Sequence, residues 1–281
     1  MKTILVLTDF SISADYAADY ALALAQSIEA KLLLCNIFER PADANTPDRK
    51  AWPKQACEEN SINDLGALMA RLKTKLDKEV PGKSYKPEID QCSIDGSVDQ
   101  KLDAIKLKHD ILLAVVSAHS GHNLDGIFEK NHAWEIIDSA SFPVMVIPYQ
   151  TKFKPFGQIV FATGMHHTDI AVLQSVSAIA QYANSEVLIT HVSAKHQEKN
   201  SLQRFFNQTP SNITYPKISY HTIKEGNVIS FLKRQCVYID LLVLVHHKRG
   251  FLQSIFNQSI TRKMVAHPRK PLLVFPQNAI N

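Results

Sequence analysis

The feature that most constrains this 281-residue chain is an internal repeat. Ile4-Leu5-Val6-Leu7-Thr8 aligns with Ile159-Val160-Phe161-Ala162-Thr163, and each run leads through a polar turn into an alanine-rich helical period, over 14–29 and 168–184. Matching apolar runs follow at 31–38 and 186–193. Later, 88–96 and 217–226 each end in a glycine that opens a helix, over 98–107 and 228–236. The apolar runs 110–116 and 240–245 come next, then a loop, a helix and a last strand bounded by prolines, 143–148 and 271–276. One offset holds from the first strand through the second, and the same order of elements and punctuation returns later in each half, which predicts one supersecondary scaffold used twice, with domains at 1–150 and 155–281 joined near 150–154.

The apolar runs are continuous and not alternating, which suits strands covered on both faces, and the helical periods between them supply the covers. Each half therefore reads as α/β, a doubly wound parallel sheet of five strands, and the chain as two such domains in tandem. In such sheets ligands sit at the carboxyl ends of the strands, where strand order reverses. The turns after the first, second and fourth strands are thus the segments that matter for function. The halves differ in their second helix, placed at about 56–80 behind a long polar stretch in the first half and shortened to about 194–206 in the second.

Composition excludes several classes. Hydrophobic residues at 45% and charged residues at 21% supply a core and argue against disorder. No segment approaches the roughly 20 continuous apolar residues of a membrane helix, and the N-terminus lacks a signal-peptide pattern, so a cytoplasmic protein with no membrane partner is expected. The net charge of +4 is small and the charges are interspersed, which is a solvated surface and not a nucleic-acid footprint. The local excess at Arg262, Lys263, Arg269 and Lys270 reads as a solvated helix face. Cys35, Cys57, Cys92 and Cys236 are scattered without CxxC spacing and are expected to be reduced thiols.

With the turns in place, Val6-Leu7-Thr8-Asp9-Phe10-Ser11 resembles the opening strand and turn of the universal stress protein family, and 240–245 with Ser259 and 271–276 resembles its closing region. The resemblance spans both halves in the tandem form. It implies an adenine nucleotide alpha hydrolase-like fold with strand order 3-2-1-4-5, and a stress-response module that binds a small ligand. It also implies ATP contacted by the acid after the first strand and by a glycine loop after the fourth. Glycines let backbone amides approach an anion, yet here the loop glycines are absent. Their positions fall on Val115, Ala118 and Lys130 in the first half and on Val245, Lys248 and Gln258 in the second; the hydroxyl position is Asn131 in one and Ser259 in the other. The acid survives as Asp9, also suited to a turn or helix cap ahead of Ser11, and becomes Gly164 in the second half. The cofactor is thus unknown, with ATP one candidate.

Where the family residues vanish, histidines gather: His166 and His167 after the first strand of the second half, His191 closing the second, His221 in the third, and His246 and His247 after the fourth. Neutral imidazoles are common metal ligands, and His166, His191 and His246 form the candidate set. Adjacent histidines on an extended backbone point to opposite faces, so not all converge.

Three readings stand. The first is a non-enzymatic ligand-binding or regulatory module, whose pockets use Asp9, Ile37 and Asn131 in the first half and Thr163, Val192, His246 and Ser259 in the second. The second is an enzyme, a slow nucleotide hydrolase or a metal-assisted one, although Gly-x-Ser-x-Gly, Walker and His-Glu-x-x-His patterns are missing. The third is a partner-binding protein. In all three, family members' habit of pairing last strands implies that 144–147 pairs with 272–275 within this chain, with further oligomerisation left open.

Overall fold

A computed structural model describes residues 1–38, 54–78, 85–118, 132–193, 215–224, 232, 234, 236–247 and 258–280. The expected helix at 194–206, most of the one at 228–236, the loop at 40–53 and the candidate Asn131 lie outside the described residues. By internal contacts the chain forms two compact units, Met1–Ser117 with Tyr149–Phe153, and Ala118–Pro148 with Lys154–Asn281.

In the first unit the elements are β1 (Thr3–Leu7), α1 (Ile12–Ser27), β2 (Lys31–Phe38), α2 (Lys54–Asp77), β3 (Ile89–Asp95), α3 (Val98–Lys108) and β4 (Ile111–Ser117). The strands lie in the order β3-β2-β1-β4, all parallel. Ile4, Leu5 and Val6 in β1 have no exposed surface, as a strand covered on both faces requires. Helix α1 covers it with a face of small residues, Ala14, Ala17, Ala18, Ala21 and Ala25, together with Leu22 and Leu24, each leucine contributing about 2 kcal/mol of apolar burial. The helix starts two residues before the alanine run suggests, because the Ser11 hydroxyl accepts the Ala14 amide at 3.1 Å and caps it.

The second unit contains α4 (His132–Ser139), β5 (Val144–Ile147), β6 (Gln158–Thr163), α5 (Asp169–Ala183), β7 (Glu186–Ser193), β8 (Ile218–Lys224), β9 (Leu241–His246), α6 (Gln258–Ala266) and β10 (Leu272–Pro276). Its strands run β5-β10-β9-β6-β7-β8. From β10 to β8 the pairing is parallel, and in order of appearance the second half's own strands read 3-2-1-4-5. The last strand of the first half, β5, joins this unit by pairing antiparallel with β10 in the register Leu272 to Val146 and Val274 to Val144. That pairing covers two apolar edges that would otherwise invite aggregation.

The repeat extends to details the sequence pattern does not display. After β1, the Thr8 hydroxyl accepts the Phe10 amide at 3.0 Å, and Phe10 has φ 60. After β6, the Thr163 hydroxyl accepts the Met165 amide at 2.8 Å, and Met165 has φ 59. Helices α1 and α5 end alike too, with Glu29 at φ 54 and Asn184 at φ 55, and with Ala30 and Ser185 amides bonding back to the Ala25 and Ala180 carbonyls, the Schellman arrangement.

Candidate functional site

In the first unit the carboxyl ends of β1 and β2 carry a ladder of neutral polar groups. Buried Asn36 donates its side-chain amide to the Thr8 carbonyl at 2.7 Å. Its Oδ1 accepts from Ser61 of α2 at 2.9 Å, and Ser61 accepts from Ser93 of β3 at 2.7 Å. This ladder fastens α2 over the strand ends and satisfies buried polar atoms that would otherwise be costly. Asp9 stands above it, exposed, with Oδ1 accepting the Ser11 amide at 3.0 Å. The family's acid position is thus an Asx turn leading into the Ser11 cap. Ile37, half-buried, is the last but one residue of β2 and lies opposite Ile94.

The second unit arranges the equivalent edge around a different acid. Asp169, the first residue of α5, is fully buried. Its Oδ2 accepts from the Thr163 hydroxyl at 2.6 Å and from the His166 amide at 3.3 Å. Its Oδ1 lies 3.2 Å from His247 Nε2. The Thr163 carbonyl is 3.1 Å from His191 Nδ1, and a carbonyl only accepts, so that nitrogen bears the proton. His166 packs on His247 with ring centroids 4.8 Å apart. Burial lowers the His166 pKa from 6.5, nearby Asp169 pushing it the other way and His247 and His167 reinforcing the fall, so this imidazole is a neutral donor or acceptor at neutral pH.

Thr163 thus joins His166, His191 and His247 into one cluster at the carboxyl ends of β6, β7 and β9. His246 is not part of it. The pleat turns it to the opposite face, where its side chain has no exposed surface. There Nε2 meets Asp138 Oδ1 of α4 at 3.0 Å, and the ring lies edge-on to Trp134 at 4.7 Å. Arg262 of α6 sits 5.9 Å over the same Trp134 ring. His246 is a core histidine tying α4 to β9. Consequently His166, His191 and His246 do not converge, and among the described residues no group of three or more His, Cys, Asp or Glu side chains is placed to hold a metal ion.

Of the other expected site residues, Val192 lies in β7 opposite Ile223, and Ser259 is the second residue of α6. Of the glycine-loop positions, Val115 and Val245 are buried inside β4 and β9 and Ala118 is buried just after β4, and the rest of both loops lies outside the described residues. Sequence reasoning missed Asp169 as a site residue, since an acid in a first helical turn is the ordinary complement to the helix dipole. Its signal was the spacing of six residues from Thr163, legible only once the intervening turn is known to curl back. Among the described residues no helix is long and apolar enough to cross a membrane.

Comparison with known proteins agrees with this architecture. No curated protein matches the chain in a sequence search. Among solved structures, a universal stress protein from Archaeoglobus fulgidus is 12% identical, with 98% of each chain covered and a TM-score of 0.71. A functionally unknown protein from Pseudomonas aeruginosa is 14% identical over 100% of this chain and 94% of its own, with a TM-score of 0.56. The cytoplasmic domain of a prokaryotic cation chloride cotransporter is 10% identical over 99% and 98%, with a TM-score of 0.54. At such identities these likenesses show a shared fold and nothing of ligand or activity. The model of the universal stress protein family matches residues 1–148, just over half of the chain. With the turn at Thr8-Asp9-Phe10 inside that match and repeated after β6, this chain belongs to the universal stress protein family.

Proposed function

We propose that this protein is a regulatory, ligand-binding member of its family with no chemistry of its own, and that its ligand is a small polar molecule received by the second unit. The observation that carries the reading is the buried Asp169 at the carboxyl ends of β6 and β9, which orients Thr163 and faces His247. A fully buried carboxylate is costly to desolvate, and here it fixes imidazoles at the edge where parallel α/β sheets receive ligands. Imidazoles held this way present hydrogen-bonding nitrogens suited to a small carboxylic acid. The one hydroxyl beside the acid, that of Thr163, has no exposed surface and is occupied by the Asp169 carboxylate and the Met165 amide, which favours a structural role for it and binding over catalysis.

The second reading is a nucleotide in the first unit. Asp9, exposed at the family's acid position, favours it; Val115 and Ala118, standing where the family's loop has glycines, oppose it. Thermal denaturation of the full chain with small carboxylic acids, ATP and other nucleotides tests both. A stabilising ligand raises the midpoint in proportion to the logarithm of its concentration. The first reading expects a shift with an acid that is lost in His166→Ala; a nucleotide shift lost in Asp9→Ala supports the second. A flat response to every compound overturns both.

A further inference from the structure

Outside these edges, two nucleophilic side chains meet in the sheet of the first unit. Cys35 of β2 and Cys92 of β3 are direct register partners in a parallel pair. Registered neighbours share a face of the sheet, and neighbouring strands lie about 4.8 Å apart. A disulfide needs α-carbons about 4.4 to 6.8 Å apart with both β-carbons on one side, so the backbone already meets both conditions. The register sets the two side chains beside each other on that face. Cys35 has no exposed surface, whereas Cys92 is half-buried.

One pair earlier on the same face stand Leu33 and Asp90. They line a cavity of about 210 Å³ together with Lys31, Lys108 and His109. Neither sulfur lines that cavity; the half-buried side chain of Cys92 itself gives a small oxidant its access. We propose that Cys92 is an oxidation site for hydroperoxides and that Cys35 resolves it, closing a disulfide between β2 and β3.

The division of labour follows from the surroundings. The Cys35 thiol beside it, as a donor, draws the Cys92 pKa down, burial opposes this, and the charge of Lys108 adds to the lowering. The same pairing, together with burial, pushes the Cys35 thiol up. Thiolate character selects which sulfur reacts first. The Cys92 thiolate attacks one peroxide oxygen, the O–O bond breaks, and the departing oxygen takes a proton to leave as water or an alcohol. Cys92 is then a sulfenic acid. The Cys35 sulfur, giving up its proton, attacks the Cys92 sulfur; the S–O bond breaks and the hydroxyl leaves with that proton as water. Two thiols and one hydroperoxide yield one disulfide, one alcohol or water, and one water, two electrons passing from sulfur to oxygen.

The test uses the full chain with a small molar excess of hydrogen peroxide, alkylation of the remaining thiols and peptide mapping. The expected result is a crosslinked peptide containing Cys35 and Cys92 that a dithiol reductant reverses, with Cys92 consumed about 10-fold faster than the half-buried reference Cys57 in α2. In Cys35→Ala, shown to be folded by its melting curve, a dimedone adduct accumulates on Cys92. The wild-type chain alone decides the matter if that variant does not fold. Oxidation of Cys57 as fast as Cys92, or Cys92 passing to sulfinic acid while Cys35 stays alkylatable, overturns the proposal.

Discussion

The carboxyl edges of the two units share a backbone and differ in where the acid sits. Thr8 and Thr163 hold the same turn, each accepting the amide two residues on, and Phe10 and Met165 adopt the same left-handed conformation. In the first unit the acid rides on that turn as Asp9, exposed and bonded to the Ser11 amide. In the second the turn position is Gly164, and the acid comes from the helix as Asp169, buried and facing His247. A duplicated turn built by a threonine hydroxyl and backbone amides needs no acid of its own. The two copies were therefore free to place their carboxylates in different dielectric surroundings.

The sharpest way to break the comparison is to remove each acid. Asp169→Ala strands the buried Thr163 hydroxyl and the His166 amide and is expected to cost about 2 to 3 kcal/mol in urea denaturation, as leaving buried hydrogen-bonding groups unsatisfied does. Asp169→Asn, which keeps an acceptor for Thr163, is expected to cost less. A loss under about 1 kcal/mol for the alanine variant contradicts the tethering role assigned here.

A second pair of acids opens the fourth strand in each half. Asp240 Oδ2 accepts the Gly157 and Gln158 amides at 2.8 and 3.1 Å, and the side chain pairs with Lys154. Burial alone would push its carboxyl up, yet the Lys154 pair and the two amides outweigh that and hold it below its usual 3.8. Asp110, by contrast, makes an exposed bridge to Lys2 at 2.8 Å. Asp240→Ala is expected to cost about 2 kcal/mol and Asp110→Ala under about 0.5 kcal/mol. Equal losses by denaturant titration would erase this asymmetry. Because the folded Asp240 pKa is depressed, its contribution is present above the unfolded value and disappears as pH falls through the folded one.

His166 supplies a smaller effect with a pH signature. Its folded pKa lies below 6.5, so in the window beneath 6.5 the unfolded chain binds the proton more readily and stability declines as pH drops. Replacing it in His166→Asn should flatten the stability profile in that window, read from melting midpoints between pH 5 and 7.5. An unchanged slope would show that its burial is not felt. Asp9→Ala removes an exposed turn bond and, like Asp110→Ala, is expected to cost about 0.5 kcal/mol or less; a loss as large as that of Asp169→Ala would mean the two edges are built alike.

Much of the fold was legible because its signals are local. Continuous β-branched runs mark strands covered on both faces, Asn184 marks a helix end, and the recurring order of strands, helices and punctuation marks duplication. The boundary of α1 was read late because its cap precedes the alanine run. The candidate site was legible only in part. Thr163, His166 and His191 were singled out and do lie together, whereas His246 was placed in the same set and turned to the other face, and Asp169 was passed over.

What the sequence by itself determined is the scaffold: two copies of a parallel α/β pattern, with histidines concentrated at the strand ends of the second. Only the tertiary structure decided which side chains meet. The pleat sends His246 to Asp138 and His247 to Asp169, and the curl of one turn carries Asp169 back under Thr163. Periodicity is a property of neighbours along the chain, but a site is made by the ends of distant strands, whose facing and register are set by packing.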